Sequence, residues 1–179
     1  MSISPTSAAH VEHYFKNKIE LVLEGGICTS GIESTIIGFH NNKAVLHRLG
    51  ALTSEDIEKI SGALVVPNKK SSINTPGKCL KHYSPKTDLI LTRNITSEID
   101  FFSDKKIGLL LFNKEEPNFN KQHQFVLSTE NDLKIAASKL YATLHQLDKL
   151  NLDIIIAERF PEYGMGNAIN DRLERASKQ

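Results

Sequence analysis

Downstream of Pro85 the sequence alternates short apolar runs with helical stripes, and that alternation admits few folds. Residues 88–91, 107–112, 124–127 and 153–157 are runs rich in Ile, Leu, Val and Phe. Residues 131–150 place Leu133, Ala136, Ala137, Leu140, Leu144 and Leu147 on one stripe, the spacing of an amphipathic helix. A last helix is predicted over 167–176. Apolar strands separated by helices suit a mainly parallel sheet with both faces covered, so 86–179 predicts a small α/β domain.

Residues 1–66 read differently. Ser4 as N-cap and Pro5 at the first helical position predict a helix start, continued by Ala8, Val11, Tyr14 and Phe15. Residues 19–23 read as a strand that Gly25-Gly26 breaks. Residues 34–39 and 43–46 are β-rich, and the turn-like His40-Asn41-Asn42-Lys43 between them predicts a hairpin. A short helix is expected over 53–60, capped by Thr53 or Ser54, with Glu55 and Asp56 in its first turn. These elements are thin for an independent core. Between the two parts, 67–85 is polar, carries the turn signal Thr75-Pro76-Gly77 and keeps no period, as an interdomain linker does.

The bulk numbers narrow the class of protein. Hydrophobic residues are 40% of the 179, enough for a packed core. Twenty-two basic against twenty-one acidic residues leave a net charge of +1, so nothing demands a polyanion partner. Cys28 and Cys79 lie far apart and read as reduced thiols. No apolar run approaches the roughly 20 residues of a bilayer span, and no signal-like core follows Met1. The expectation is a cytoplasmic protein with no membrane partner.

Four features can carry chemistry. Ser4-Pro5-Thr6 at a helix start offers free N–H groups and hydroxyls to an anion, or is a plain cap. Gly31-Ile32-Glu33-Ser34-Thr35 runs a glycine loop into a strand, which suits close approach to a carboxylate or phosphate, or is a simple turn. Arg48 at a strand end can fork onto phosphate, or is a solvated arginine. His82-Tyr83-Ser84-Pro85 closes the linker as a lid or as an anchor. His10 and His13 lie one helical turn apart with no third metal ligand in view. Asp171-Arg172 and Glu174-Arg175 are expected as exposed helix pairs. Phe160 to Asn167 lacks the third glycine of a dinucleotide-binding loop.

Taken in order, these segments resemble the threonylcarbamoyl-AMP synthase family in its long, two-domain form. Ser4-Pro5-Thr6-Ser7-Ala8 is similar to the family's Ser-Pro-Thr segment. Gly31-Ile32-Glu33-Ser34-Thr35-Ile36 resembles its Gly-x-Glu-Ser-Thr strand, and Leu46-His47-Arg48-Leu49-Gly50-Ala51 its Leu-x-Arg-x-Gly segment. Thr75-Pro76-Gly77 through His82-Tyr83-Ser84-Pro85 resembles the long members' linker. Pro161 to Gly166, with Ala168 to Leu173, resembles the end of their second domain. Leu49 stands where the family usually has Pro, and Lys78 where Met is common.

The resemblance implies an α/β fold class: an incomplete C-terminal part of a YrdC-like domain over 1–66, a linker over 67–85, and a small Rossmann-like domain over 86–179. It implies a nucleotidyltransferase that condenses L-threonine, bicarbonate and ATP into threonylcarbamoyl-AMP with release of pyrophosphate. ATP is a substrate, accompanied by Mg2+, and no tightly bound cofactor is implied. The product serves threonylcarbamoyladenosine modification of tRNA through downstream partner enzymes, with weak RNA binding as a further partner. Ser4, Arg48 and Tyr83 match ATP-contacting positions and Ser34 a threonine-contacting one; no catalytic residue is assigned. The family's Lys/Arg-rich and Ser-Ala-Asn segments belong before Ser4, where only Met1-Ser2-Ile3 stand. The chain is therefore expected to hold part of a catalytic groove and to lack synthase activity alone. The alternative is a non-catalytic binding or regulatory module that docks tRNA-modification partners.

Overall fold

The computed structural model of the chain describes residues 3–64 and 83–177. Helix α1 spans Ala8–Phe15 and runs into a 3-10 turn at Lys16–Lys18. Strands β1, Ile36–His40, and β2, Lys43–Arg48, pair antiparallel. Asn41 and Asn42 turn the hairpin with φ of 50° and 58°, the left-handed pair that matches a tight turn to strand twist. Helix α2, Ser54–Ser61, starts at Thr53, whose side chain accepts from Asp56 N.

The second part is a four-stranded sheet. Strand β3 is Asp88–Thr92, β4 Ile107–Leu111, β5 Gln124–Val126 and β6 Ile154–Glu158. The order is β3-β6-β4-β5 and every pair is parallel. Alternate residues of β4 and β6 serve opposite faces. Leu110, Ile155 and Ala157 join helices α4, Leu133–Asp148, and α5, Met165–Ala176, in the larger core. Leu109, Leu111, Ile154 and Ile156 meet α3, Ile95–Phe101, on the other face. Of the α4 stripe, Ala136, Ala137, Leu140, Leu144 and Leu147 are buried and Leu133 is half-buried at the helix start. Each buried leucine contributes about 1.5–3 kcal/mol through apolar area removed from water.

The four expected strands of this sheet and both long helices are present. Helix α3 was not anticipated; it is seven residues long and held by the Asn94 side chain, which accepts from Ser97 N. Upstream, two expectations fail. The first helix is capped by Ser7, whose side chain accepts from His10 N, because the Ser4 hydroxyl is engaged elsewhere. Residues 19–23 form no strand, since no backbone among the described residues pairs with them. The Thr75-Pro76-Gly77 signal, Cys79 and most of the predicted linker lie outside the described residues.

The two parts share one core. Ile3 and Ile32 from the first part, and Tyr83, are buried in the same cluster as α4 and α5.

Candidate functional site

The seam between the parts is built around Gly31. Its φ is +66°, and a Cβ there would sit 2.3 Å from the Cα of Ser138 on α4, so only glycine brings this loop flat onto the helix. Gly50 works likewise from the other side, where a Cβ would fall 2.4 Å from the Glu33 carbonyl oxygen. The two close approaches fix residues 31–35 between α4 and the loop after β2.

Glu33 is delivered into that seam. Its Oε1 accepts from the Ser4 hydroxyl at 2.7 Å and from the Tyr141 hydroxyl at 3.1 Å. Its Oε2 accepts from Tyr141 at 3.0 Å and from Arg172 Nε at 3.2 Å. Burial pushes this carboxyl up, but the Ser4 hydroxyl, the Arg172 charge and the Tyr141 hydroxyl together hold it below its ordinary value. Glu33 is therefore a carboxylate at neutral pH.

Arg172 corrects an expectation. It is 1% exposed, not a surface pair residue. Its NH1 reaches Asp171 at 3.1 Å, its guanidinium lies 5.6 Å from the centre of the Tyr83 ring, and its NH2 is buried with no hydrogen-bond partner among the described residues. Burial opposes its charge, and Tyr141, Glu33 and Asp171 outweigh that effect. The expected Asp171–Arg172 contact forms but is buried on the Arg172 side; Arg175 pairs with Asp171 at 2.8 Å, and Glu174 pairs with Arg159 at 2.8 Å.

Tyr83 is 2% exposed, has φ of +66°, and stacks on Tyr141 with ring centres 5.6 Å apart. Burial raises its hydroxyl pKa and Glu33 adds to the rise; the charges of Arg172, Arg48 and Arg175 pull it back. Arg48, on the end of β2, reaches across to the loop: its Nε and NH2 donate to the Ser34 carbonyl at 3.0 and 2.9 Å, and NH2 also meets the Ser34 hydroxyl at 3.2 Å.

Of the four residues predicted for the site, Arg48 and Ser34 are in direct contact. Ser4 bonds Glu33, the neighbour of Ser34, and Tyr83 stacks on Tyr141, which also bonds Glu33. Ser34 is exposed, so its hydroxyl is open to solvent. Sequence reasoning missed Tyr141 and Arg172, which hold Glu33 from 108 and 139 residues away. Helical periodicity marks the stripe next to Tyr141, but no local signal pairs Arg172 with Glu33.

A histidine pair borders the seam. The rings of His10 and His145 lie 4.0 Å apart, and His145 Nε2 is 3.2 Å from the Ser4 carbonyl oxygen. Burial, then His10, lowers the His145 pKa to about 4, so it is neutral at pH 7. No group of three metal-ligating side chains occurs among the described residues, and His10 meets His145 rather than a metal set with His13. No helix among these residues is long and apolar enough to cross a membrane.

Residues 52–178 match the family model of the threonylcarbamoyl-AMP synthase C-terminal domain. The chain belongs to the threonylcarbamoyl-AMP synthase family. It is 32% identical to a threonylcarbamoyl-AMP synthase of Pyrococcus abyssi and 30% identical to one of Bacillus subtilis, each match covering 97% of this chain. Those matches cover 54% and 53% of the relatives, so the chain spans about half the length of the curated relatives it matches. Among solved structures, it is similar to the crystal structure of P. abyssi Sua5 complexed with L-threonine, with a TM-score of 0.85 and 32% identity over 98% of this chain and 54% of that one. The mixed α/β fold with its four-stranded parallel sheet is thus a fold of this synthase family.

Proposed function

We propose that this chain corresponds to the C-terminal half of a two-domain threonylcarbamoyl-AMP synthase. In this reading residues 1–66 belong to a YrdC-like catalytic domain, 67–85 are the linker and 86–179 are a Rossmann-like domain. The protein takes part in condensing L-threonine, bicarbonate and ATP, which arrives with Mg2+, into threonylcarbamoyl-AMP and pyrophosphate. The product feeds threonylcarbamoyladenosine formation on tRNA in the cytoplasm, through separate downstream enzymes.

The observation that carries the reading is the fork of Arg48 onto Ser34 at the mouth of the Glu33 seam, in a chain of this family. A guanidinium that already holds a carbonyl and a hydroxyl has the planar donor set for phosphate oxygens, and can balance charge as pyrophosphate leaves. The Ser34 hydroxyl, exposed beside it, is small enough to reach the threonine carboxylate. The Ser4 hydroxyl donates to Glu33, so its oxygen remains an acceptor for a nucleotide hydroxyl or amine. In this reading Tyr83, matched to an ATP-contacting position, excludes water from an adenylate that hydrolyses readily.

Titration calorimetry with ATP and with L-threonine tests the assignment on the chain as it stands. ATP binding is expected, weakened about ten- to a hundredfold by Arg48→Ala, the loss of one charge-assisted bond of about 1.5–3 kcal/mol. Ser34→Ala is expected to weaken threonine in the same way. No binding of either ligand, or binding indifferent to both substitutions, overturns the site and returns the docking-module reading. Pyrophosphate release by this chain at rates typical of enzymes overturns the view that the other half is needed.

A further inference from the structure

The carboxyl ends of the sheet strands carry a second polar crevice, apart from the Arg48 seam. Strand β3 leaves the sheet towards α3 on one face, and its neighbour β6 leaves towards α5 on the other. Adjacent parallel strands whose connections diverge open a cleft at their carboxyl ends, where open α/β sheets bind ligands. A cavity of about 580 Å³ lies there, in the size range of small-molecule sites.

The residues that follow the diverging strands give the cavity its chemistry. Arg93 comes directly after β3 and Arg159 directly after β6. Both converge on one carboxylate oxygen, Glu162 Oε1: Arg93 NH2 bonds it directly and Arg159 NH1 lies 3.7 Å away. Arg159 NH2 also pairs with Glu174 at 2.8 Å. Two guanidiniums from separate strands gathered on one exposed carboxylate are an anion clamp occupied by the chain's own counter-ion. Glu158 ends the central strand β6; its Oε2 accepts from Phe112 N at 2.7 Å, which fixes a carboxylate on the cleft floor. A carboxylate at the end of a sheet strand is the group that takes ribose hydroxyls in nucleotide-binding α/β folds. Tyr163, 59% exposed on the rim, offers a ring face to a base.

We propose that this crevice binds a ribonucleoside monophosphate, with the phosphate displacing Glu162 from Arg93 and Arg159 and the ribose diol donating to Glu158. The cleft lacks the glycine loop that places a pyrophosphate on a helix N-terminus, which argues for a mononucleotide over a dinucleotide. The site is distinct from the Arg48 seam and does not depend on the function proposed there.

The test is titration of the isotopically labelled chain with AMP, read at the backbone amides of Arg93, Asn113 and residues 158–164, with inorganic phosphate as a parallel probe. Saturating shifts at these amides are expected, with AMP binding more tightly than phosphate. Arg93→Ala is expected to weaken AMP about tenfold or more. Glu162→Gln, which removes the resident competitor, is expected to tighten it. Both side chains are largely exposed, so neither substitution threatens the fold. Arg48→Ala is expected to leave these shifts unchanged, which separates this proposal from the seam reading. No saturable shift at these amides with millimolar AMP overturns the proposal. So does phosphate binding as tightly as AMP, an Arg93→Ala chain that binds AMP normally, or a Glu162→Gln chain that binds it no more tightly.

Discussion

In the sheet half each strand is bonded to at least one parallel neighbour, and helices cover both faces. In residues 3–64 the secondary structure is one hairpin, two eight-residue helices and a 3-10 turn, and large apolar side chains face outward. Leu21, Leu23, Ile27, Phe39 and Ile60 are each at least 74% exposed. The first part contributes little core of its own beyond Ala44, Val45 and Leu46 on the hairpin; Ile3 and Ile32 belong to the core of the second. What joins the two is a polar network, Ser4–Glu33–Tyr141–Arg172, seated on a glycine contact. One half is held by buried area spread over many side chains. The other is held in place by a few exacting contacts at the seam.

Removing Arg172 should have the largest effect. Arg172→Ala leaves Glu33 partly buried without its cation and removes the guanidinium from under Tyr83. Breaking one partner of a buried pair costs about 3–5 kcal/mol. The loss is expected to be local. Amide exchange should rise across residues 31–35 and α1 while the central strands β4 and β6 stay protected. Uniform loss of protection throughout the sheet would show that the two regions unfold together and that the contrast between them is false.

What the sequence reveals follows the same division. The parallel sheet was legible because its strands are continuous apolar runs, and α4 because its stripe spans four turns. The hairpin was legible because two asparagines supply the left-handed turn. In residues 19–23 the alternation of Ile19, Leu21 and Leu23 has the period of a strand, but period is only half of strand formation; a ladder partner is the other half, and the described residues contain none. Arg172 misled for a related reason. Its local pattern, with Asp171 before it and Glu174-Arg175 after, is that of a solvated helix face, and its burial depends on a loop 139 residues away. Ser34 and Arg48 could be singled out as candidates from residue type and strand ends, but their contact, like the role of Glu33 between them and Ser4, is a product of tertiary structure.

Acid should probe the seam with an intermediate effect. His145 stays neutral in the fold down to about pH 4, whereas an unfolded histidine takes its proton near the ordinary 6.5. Between these values the unfolded chain binds more protons, so stability falls as pH drops. Lys149 and His10 repel a charge on His145, and Asp148 favours one. Glu33 acts in the same direction lower down: its carboxyl is held below the ordinary 4.5, so its contribution is complete above that value and is lost as pH falls through the folded one. We expect stability measured by denaturant to drop by about 1–3 kcal/mol between pH 7 and pH 4.5. His145→Gln should flatten the part above pH 5. A histidine-independent profile would mean that His145 does not sense the seam.

The smallest effect should come from the residues that look most out of place. Leu23 is 83% exposed and Ile60 91% exposed, so replacing either by Ser removes almost no packed surface. Each substitution should change folding stability by less than about 0.5 kcal/mol, the range of surface positions without special contacts. Their exposed area instead bears on association. Apolar side chains standing in water gain about 25 cal/mol for each Å² that another surface covers. The double substitution should therefore lower any self-association seen by sedimentation while leaving the denaturation midpoint unmoved. A cost above 1 kcal/mol for either single change would show that these side chains are packed in solution, and would erase the difference between the two regions on which the other predictions rest.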